Sequence, residues 1–183
     1  MRIKILVAPN SMKGSLDAFE FAETVEKAFL SVSEEFEVVK LPVADGGDFT
    51  REVLHRHFKA KEIGVEVIGP LGEKTKSKYS ISEKVAIIEM ADASGMKLVD
   101  RKLLNPMKAS SYGTGQLIDD AINNGCTQIF LAIGGSATVD GGMGMLEALG
   151  FQFFDKENHT KIYNSAYIFN NKCAYASDVN FIY

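Results

Sequence analysis

The chain has 183 residues, 46% of them hydrophobic and 24% charged, with 20 basic against 24 acidic side chains for a formal net charge of −4. This is the composition of a globular protein with enough apolar residues for one domain or slightly more, and it excludes wholesale disorder. Without a basic excess or stripe, a nucleic-acid partner is not expected.

Residues 2–8 form a short, nearly continuous apolar run that ends at Pro9. That pattern predicts a strand buried in a parallel sheet. Leu16, Phe19, Ala22, Val25 and Phe29 then recur at helical spacing, with Ser15 available as N-cap. Residues 36–43 read as a second strand, so the opening is a βαβ unit. After the loop at 45–48, Val53, Leu54 and Phe58 mark a short helix, with Asp48 as a possible N-cap. Residues 62–68, 74–82 and 85–90 read as strands joined by tight turns, which predicts antiparallel pairing. Lys74, Lys76 and Lys78 alternate along the second of these, as on a solvated face.

A helix follows over 115–123, stopped by Gly125, then a short buried strand over 128–133. The glycine-rich loop 134–142 leads into a helix over 144–149 and a last strand over 151–154, and beyond 160 the periodicity fades. The change in character places a domain boundary near residue 64: residues 1–63 begin a parallel-sheet α/β domain and residues 64–183 belong to a second α/β domain.

Cys126 and Cys173 have no metal-type spacing and do not make a disulfide framework. The N-terminal apolar run is too short for a signal peptide, and no stretch approaches a membrane span, so a cytoplasmic protein is expected. His55 and His57 would point to different faces of a helix, and His159 stands alone, so no histidine metal pair is expected.

Four segments carry residue types suited to chemistry. Asn10, Ser11, Lys13 and Ser15 lie between the first strand and the first helix, where exposed N–H groups and a lysine attract anions. Asp45, Gly46, Gly47 and Asp48 follow the second strand. Carboxylates beside glycines can hold Mg²⁺ or orient a hydroxyl, and Asp45 is the better candidate because Asp48 can serve as a cap. Gly113 and Thr114 open a helix and offer either a phosphate contact or a plain N-cap at Thr114. Gly134, Gly135, Ser136, Thr138 and Asp140 form the strongest signal, because glycines let successive N–H groups converge on a phosphate. The order of residues is neither a Walker A loop nor a dinucleotide fingerprint. No cysteine, serine or histidine arrangement supports covalent catalysis.

Taken in order, these segments resemble the bacterial glycerate kinase family. The resemblance runs through residues 8–16, Asp45-Gly46-Gly47, the turn at 67–72, residues 88–91 with Ser94-Gly95, Asn105-Pro106, residues 112–115 and residues 134–142. It implies two α/β domains, one flavodoxin-like (Rossmann-like) and built from both ends of the chain, the other inserted. Family chains are longer, so the resemblance also implies an incomplete chain, with residues 176–180 similar to a segment that lies further on in the family. The implied activity is transfer of the ATP γ-phosphoryl group to a hydroxyl of D-glycerate, with ATP and Mg²⁺ as cofactors. Lys13, Asp45 and Asp178 are the catalytic candidates, and Asp45 or Asp178 the metal ligand. Asn10 stands where the family usually has Asp, Phe49 where it has Gly, and Val139 where it has Asn. The rival reading is a non-catalytic anion-binding α/β module or an inactive remnant of the kinase.

Overall fold

The computed structural model describes residues 2–12 and 15–154. It has the expected α/β character, in two sheets.

Strands β1 (Ile3–Val7) and β2 (Phe36–Lys40) pair in parallel, from Ile3↔Phe36 to Val7↔Lys40. Helix α1 (Ala18–Val32) crosses between them. Its N-cap is Asp17 rather than Ser15: Asp17 Oδ1 accepts the N–H groups of Phe19 and Glu20 at 2.8 Å each, and the Asp17 N–H donates to Glu20 Oε2 at 3.0 Å. Glutamate three residues after aspartate completes a reciprocal box that Ser15 cannot form. Ser15 instead closes a turn through its N–H to the Met12 carbonyl. The strand β1 is parallel as expected, but it is not buried on both faces among the described residues. Helix α1 covers one face, and Ile3 and Leu6 remain 51% and 61% exposed.

The second sheet runs β3 (Lys61–Ile68), β4 (Lys74–Ser82), β5 (Val85–Glu89), β6 (Gln128–Ala132). The first three strands pair antiparallel, as expected, and β5 pairs parallel with β6. The chain reaches β6 through two helices, α3 (Ala91–Ser94) and α4 (Tyr112–Asn123). Residues alternate across the sheet. Val67, Tyr79, Ala86 and Ile88 pack under α4 with Leu117 and Ile118 in the main core. Ser80, Ile87 and Glu89 fall on the other face, where helix α2 (Thr50–His57) packs. Lys74 and Lys76 stand in solvent, and Lys74 and Lys78 pair with Glu66 and Glu62 of β3.

Helix α5 (Met143–Ala148) packs on α4. Residues 151–154 do not form the expected strand, and only Phe154 makes an isolated bridge. Phe151 and Phe153 are buried against Met143, so their apolarity serves a small satellite core rather than a ladder. Among the described residues no helix is long and apolar enough to cross a membrane.

Candidate functional site

Parallel pairing of β5 and β6 brings their carboxyl ends to one edge, where ligands of α/β sheets bind. Residues 134–142 leave β6 at that edge, and residues 45–48 approach from the other sheet. The Gly134 N–H donates to the Gly46 carbonyl at 2.8 Å. The approach is close enough that a methyl on Gly134 would stand 2.5 Å from Gly47 Cα and 2.7 Å from Gly46 O. Gly135 has φ +74, and a methyl there would meet Asp48 Oδ1 at 2.8 Å and Ala91 Cβ at 3.1 Å. On its other side the loop is stapled to the end of α3 and the residues just after it: the Met96 N–H donates to Gly135 O and the Ala137 N–H to Ser94 O, both at 2.9 Å.

Within this loop the polar side chains shape the backbone. Ser136 Oγ donates to the Thr138 carbonyl and accepts the Thr138 N–H. Thr138 Oγ1 donates to Ala109 O at 2.7 Å and accepts the Asp140 N–H at 3.0 Å. Asp140 is only 3% exposed. Its Oδ1 accepts the Gly142 N–H, and its Oδ2 accepts the Ser111 N–H, the Ser111 hydroxyl and the Gly144 N–H, at 2.7 to 3.2 Å. Four donors converge on one buried carboxylate, which ties the loop to the starts of α4 and α5.

Gly113 and Thr114 do not reach the loop surface. Both are buried inside the first turn of α4, whose N-cap residue is Ser111 rather than Thr114. Thr114 Oγ1 donates to Ser94 Oγ at 2.9 Å, and Gly113 packs against the Ile68 carbonyl. Their small size lets α4 lie against β3 and α3. Asn10 Oδ1 accepts the Ser11 N–H at 2.7 Å, both residues half-buried beyond β1, while Ser15 is exposed. Lys13 and Asp178 lie outside the described residues.

The two carboxylates at 45–48 point to different clefts. Asp45 Oδ1 accepts the Gly47 N–H at 3.0 Å, a local turn, and the residue lines a largely apolar cleft of about 660 Å³ with Val43, Gly46, Thr50, Leu54 and Ile133. The buried Thr50 hydroxyl in this wall has no hydrogen-bond partner among the described residues. Asp48 lines a polar cleft of about 530 Å³ with Phe49, Arg51, Glu89, Asp92 and Lys97. It is not the N-cap of α2: that position is Phe49, at φ 68 and with no side-chain cap. A left-handed backbone at a non-glycine residue is strained by about 1–2 kcal/mol, a strain that glycine would not bear.

The polar cleft holds residues for which the sequence assigned no role. Glu89, 2% exposed at the end of β5, accepts the Arg51 N–H through Oε2 at 3.2 Å and Lys97 Nζ through Oε1 at 3.2 Å. It thereby supplies from a neighbouring strand the cap that α2 lacks. Arg51, 6% exposed, donates through Nε to Asp92 at 2.9 Å and through NH1 to Glu62 at 3.1 Å. Burial alone would lower the Lys97 ammonium, but Asp92 and Glu89 outweigh it and raise its pKa above the ordinary value. The hydrogen bond from Lys78, with the nearby positive charges of Lys78, Arg51 and His55, holds the Glu62 carboxyl below its usual range against a smaller opposing effect of burial. The sequence signal for this network was a glutamate closing the otherwise apolar run of β5.

The glycerate kinase family model matches residues 5–172. A glycerate kinase of Haemophilus influenzae is 48% identical over 158 residues, covering 85% of this chain and 42% of that protein. The glycerate 2-kinase of Escherichia coli is 45% identical over 155 residues, covering 84% of this chain and 41% of its own length. A crystal structure from Salmonella typhimurium LT2, provisionally named glycerate kinase 2, superposes with a TM-score of 0.73 at 41% identity, over 86% of this chain and 43% of that one. The chain thus spans about two fifths of the length of the curated relatives it matches.

Proposed function

The chain belongs to the glycerate kinase family, and from that premise we propose that the whole protein, in the cytoplasm, transfers the γ-phosphoryl group of ATP to a hydroxyl of D-glycerate. The observation that carries this reading is the closure of the 134–142 loop onto residues 45–48, through the 2.8 Å bond from Gly134 to Gly46. It sets a glycine-rich backbone beside two carboxylates at the carboxyl edge of the sheets. Phosphoryl transfer needs positioning and charge stabilisation rather than a covalent nucleophile, and this is what such an edge offers.

In this reading the N–H groups of the 134–142 loop that the described residues do not themselves engage, those of Gly135, Ser136 and Gly141, face the phosphates, and Lys13 of the preceding βα loop neutralises phosphate or glycerate charge. The parallel β1-α1-β2 unit belongs to a flavodoxin-like domain, the β3–β6 sheet to a second α/β domain, and ligands bind between them. Mg²⁺, when bound, neutralises phosphate charge. An exposed carboxylate suits a metal that keeps water and phosphate in its shell, so Asp45, or Asp178 outside the described residues, would hold it. The test is ADP release by the full-length protein in a coupled assay. D-glycerate should stimulate ADP formation at least tenfold over the nucleotide alone. Nucleotide binding without any glycerate-dependent ADP would favour the non-catalytic anion-binding module instead.

A further inference from the structure

We propose that Asp48, not Asp45, is the carboxylate that orients the acceptor hydroxyl and takes its proton. The inference rests on the kinase reading above and assigns a residue within it.

The two aspartates are separated by what surrounds them. Asp45 is occupied in shaping its own turn and lies along an apolar wall. The Asp48 carboxylate makes no hydrogen bond or ion pair among the described residues, although every other acidic side chain on the floor of its cleft is bonded. It is exposed, and its Oδ1 lies against Gly135, 2.8 Å from where a methyl would stand. An acceptor whose hydroxyl meets Asp48 is therefore also beside the backbone proposed to hold phosphate.

The rest of the cleft suits a small hydroxy acid. Lys97, 45% exposed, lines it and can face a carboxylate, while the buried Arg51 guanidinium behind it is held by Asp92 and Glu62. The position of Asp48 is fixed from two directions: Glu89 caps α2 immediately behind it, and the Gly134–Gly46 bond holds the loop in front. A carboxylate so held, and bound to nothing else, is what general-base work requires.

The step balances. The hydroxyl oxygen of glycerate forms a bond to the γ-phosphorus as the bond from that phosphorus to the bridging oxygen of ADP breaks. ADP leaves with that electron pair, and the hydroxyl proton passes to Asp48 and then to water.

The test uses the full-length protein and compares Asp48→Asn, Asp48→Glu and wild type by steady-state kinetics, at several Mg²⁺ concentrations. Asp48→Asn should lose on the order of 100-fold in kcat, with the KM for ATP within threefold of wild type and an unchanged melting temperature. Asp48→Glu should recover at least a tenth of the lost activity. Retention of more than a third of kcat in Asp48→Asn would overturn the assignment. So would rescue by excess Mg²⁺, which marks a metal ligand, or a loss confined to the KM for glycerate. A wild type inactive with glycerate would instead bring down the kinase reading itself.

Discussion

Substituting Gly134 by alanine tests whether the contact between the two loops sets the site. The added Cβ would stand 2.5 Å from Gly47 Cα and 2.7 Å from Gly46 O, both backbone atoms with no rotamer to escape into. Carbon atoms in contact sit about 3.5–4.0 Å apart, so the loops must separate by about 1 Å. Overpacking of this kind costs about 1–3 kcal/mol. Loss of the Gly134–Gly46 hydrogen bond adds about 1 kcal/mol. The expected destabilisation is therefore about 2–4 kcal/mol by urea unfolding. The larger effect is on turnover, because a displacement of about 1 Å of positioned groups can cost on the order of 100-fold in rate. Gly64→Ala is the control: it sits exposed in β3 with no atom within 4 Å of the added methyl. In the full-length protein, Gly64→Ala should keep wild-type kcat while Gly134→Ala loses most of it. A folded Gly134→Ala variant within threefold of wild type would refute the idea that this close approach positions the site.

Glu89→Ala removes the acceptor of the buried Arg51 N–H and one partner of Lys97. Because Lys97 can turn to water, the loss should fall at the low end for broken buried pairs, about 3 kcal/mol. Glu89→Gln, which can still accept the N–H, should lose clearly less in the same denaturation assay. Asp140→Ala leaves four donors without their acceptor and should lower stability by about 3 kcal/mol or more; a variant within 1 kcal/mol of wild type in thermal unfolding would contradict its structural role. Glu62 has a folded pKa below its ordinary 4.5, so its contribution is present above about pH 4.5 and is lost as pH falls through the folded value. Glu62→Gln should therefore lower the melting temperature slightly above about pH 4.5 and converge on wild type as the pH falls below it, a small effect for a side chain 43% exposed.

Elements with a strong local period were legible in the sequence. The β1-α1-β2 unit, the antiparallel run β3–β5 and the helix α4 all announce themselves by spacing, and each is present. Boundaries and caps were harder. Ser15 and Thr114 have the chemistry of caps, but Asp17 with Glu20 forms a better box, and Thr114 is drawn into the core by Ser94. Residues 151–154 show why a short apolar run is ambiguous: two alternating phenylalanines fit a strand and fit equally well a plug under a short helix. The partners of Glu89 lie eight and thirty-eight residues away in sequence, so no local pattern could have assembled the polar cleft.

The aspartates show the same limit where it bears on chemistry. Asp45, Asp48 and Asp140 all neighbour glycines, and spacing cannot tell which of them is spent on the backbone. Asp140 is spent entirely, on four donors at the starts of two helices. Asp45 is engaged by Gly47, two residues on. Asp48 has the best claim to an N-cap by sequence, because it sits just before the short helix α2. That cap is supplied instead by Glu89, a residue from another strand and another sheet. A carboxylate that caps from a distance releases the local one, and the released side chain stands against the glycine loop. The division of labour between structural and chemically available acids is therefore decided by tertiary contacts: the sheet edge that brings Glu89 under α2 is also what leaves Asp48 open to a ligand.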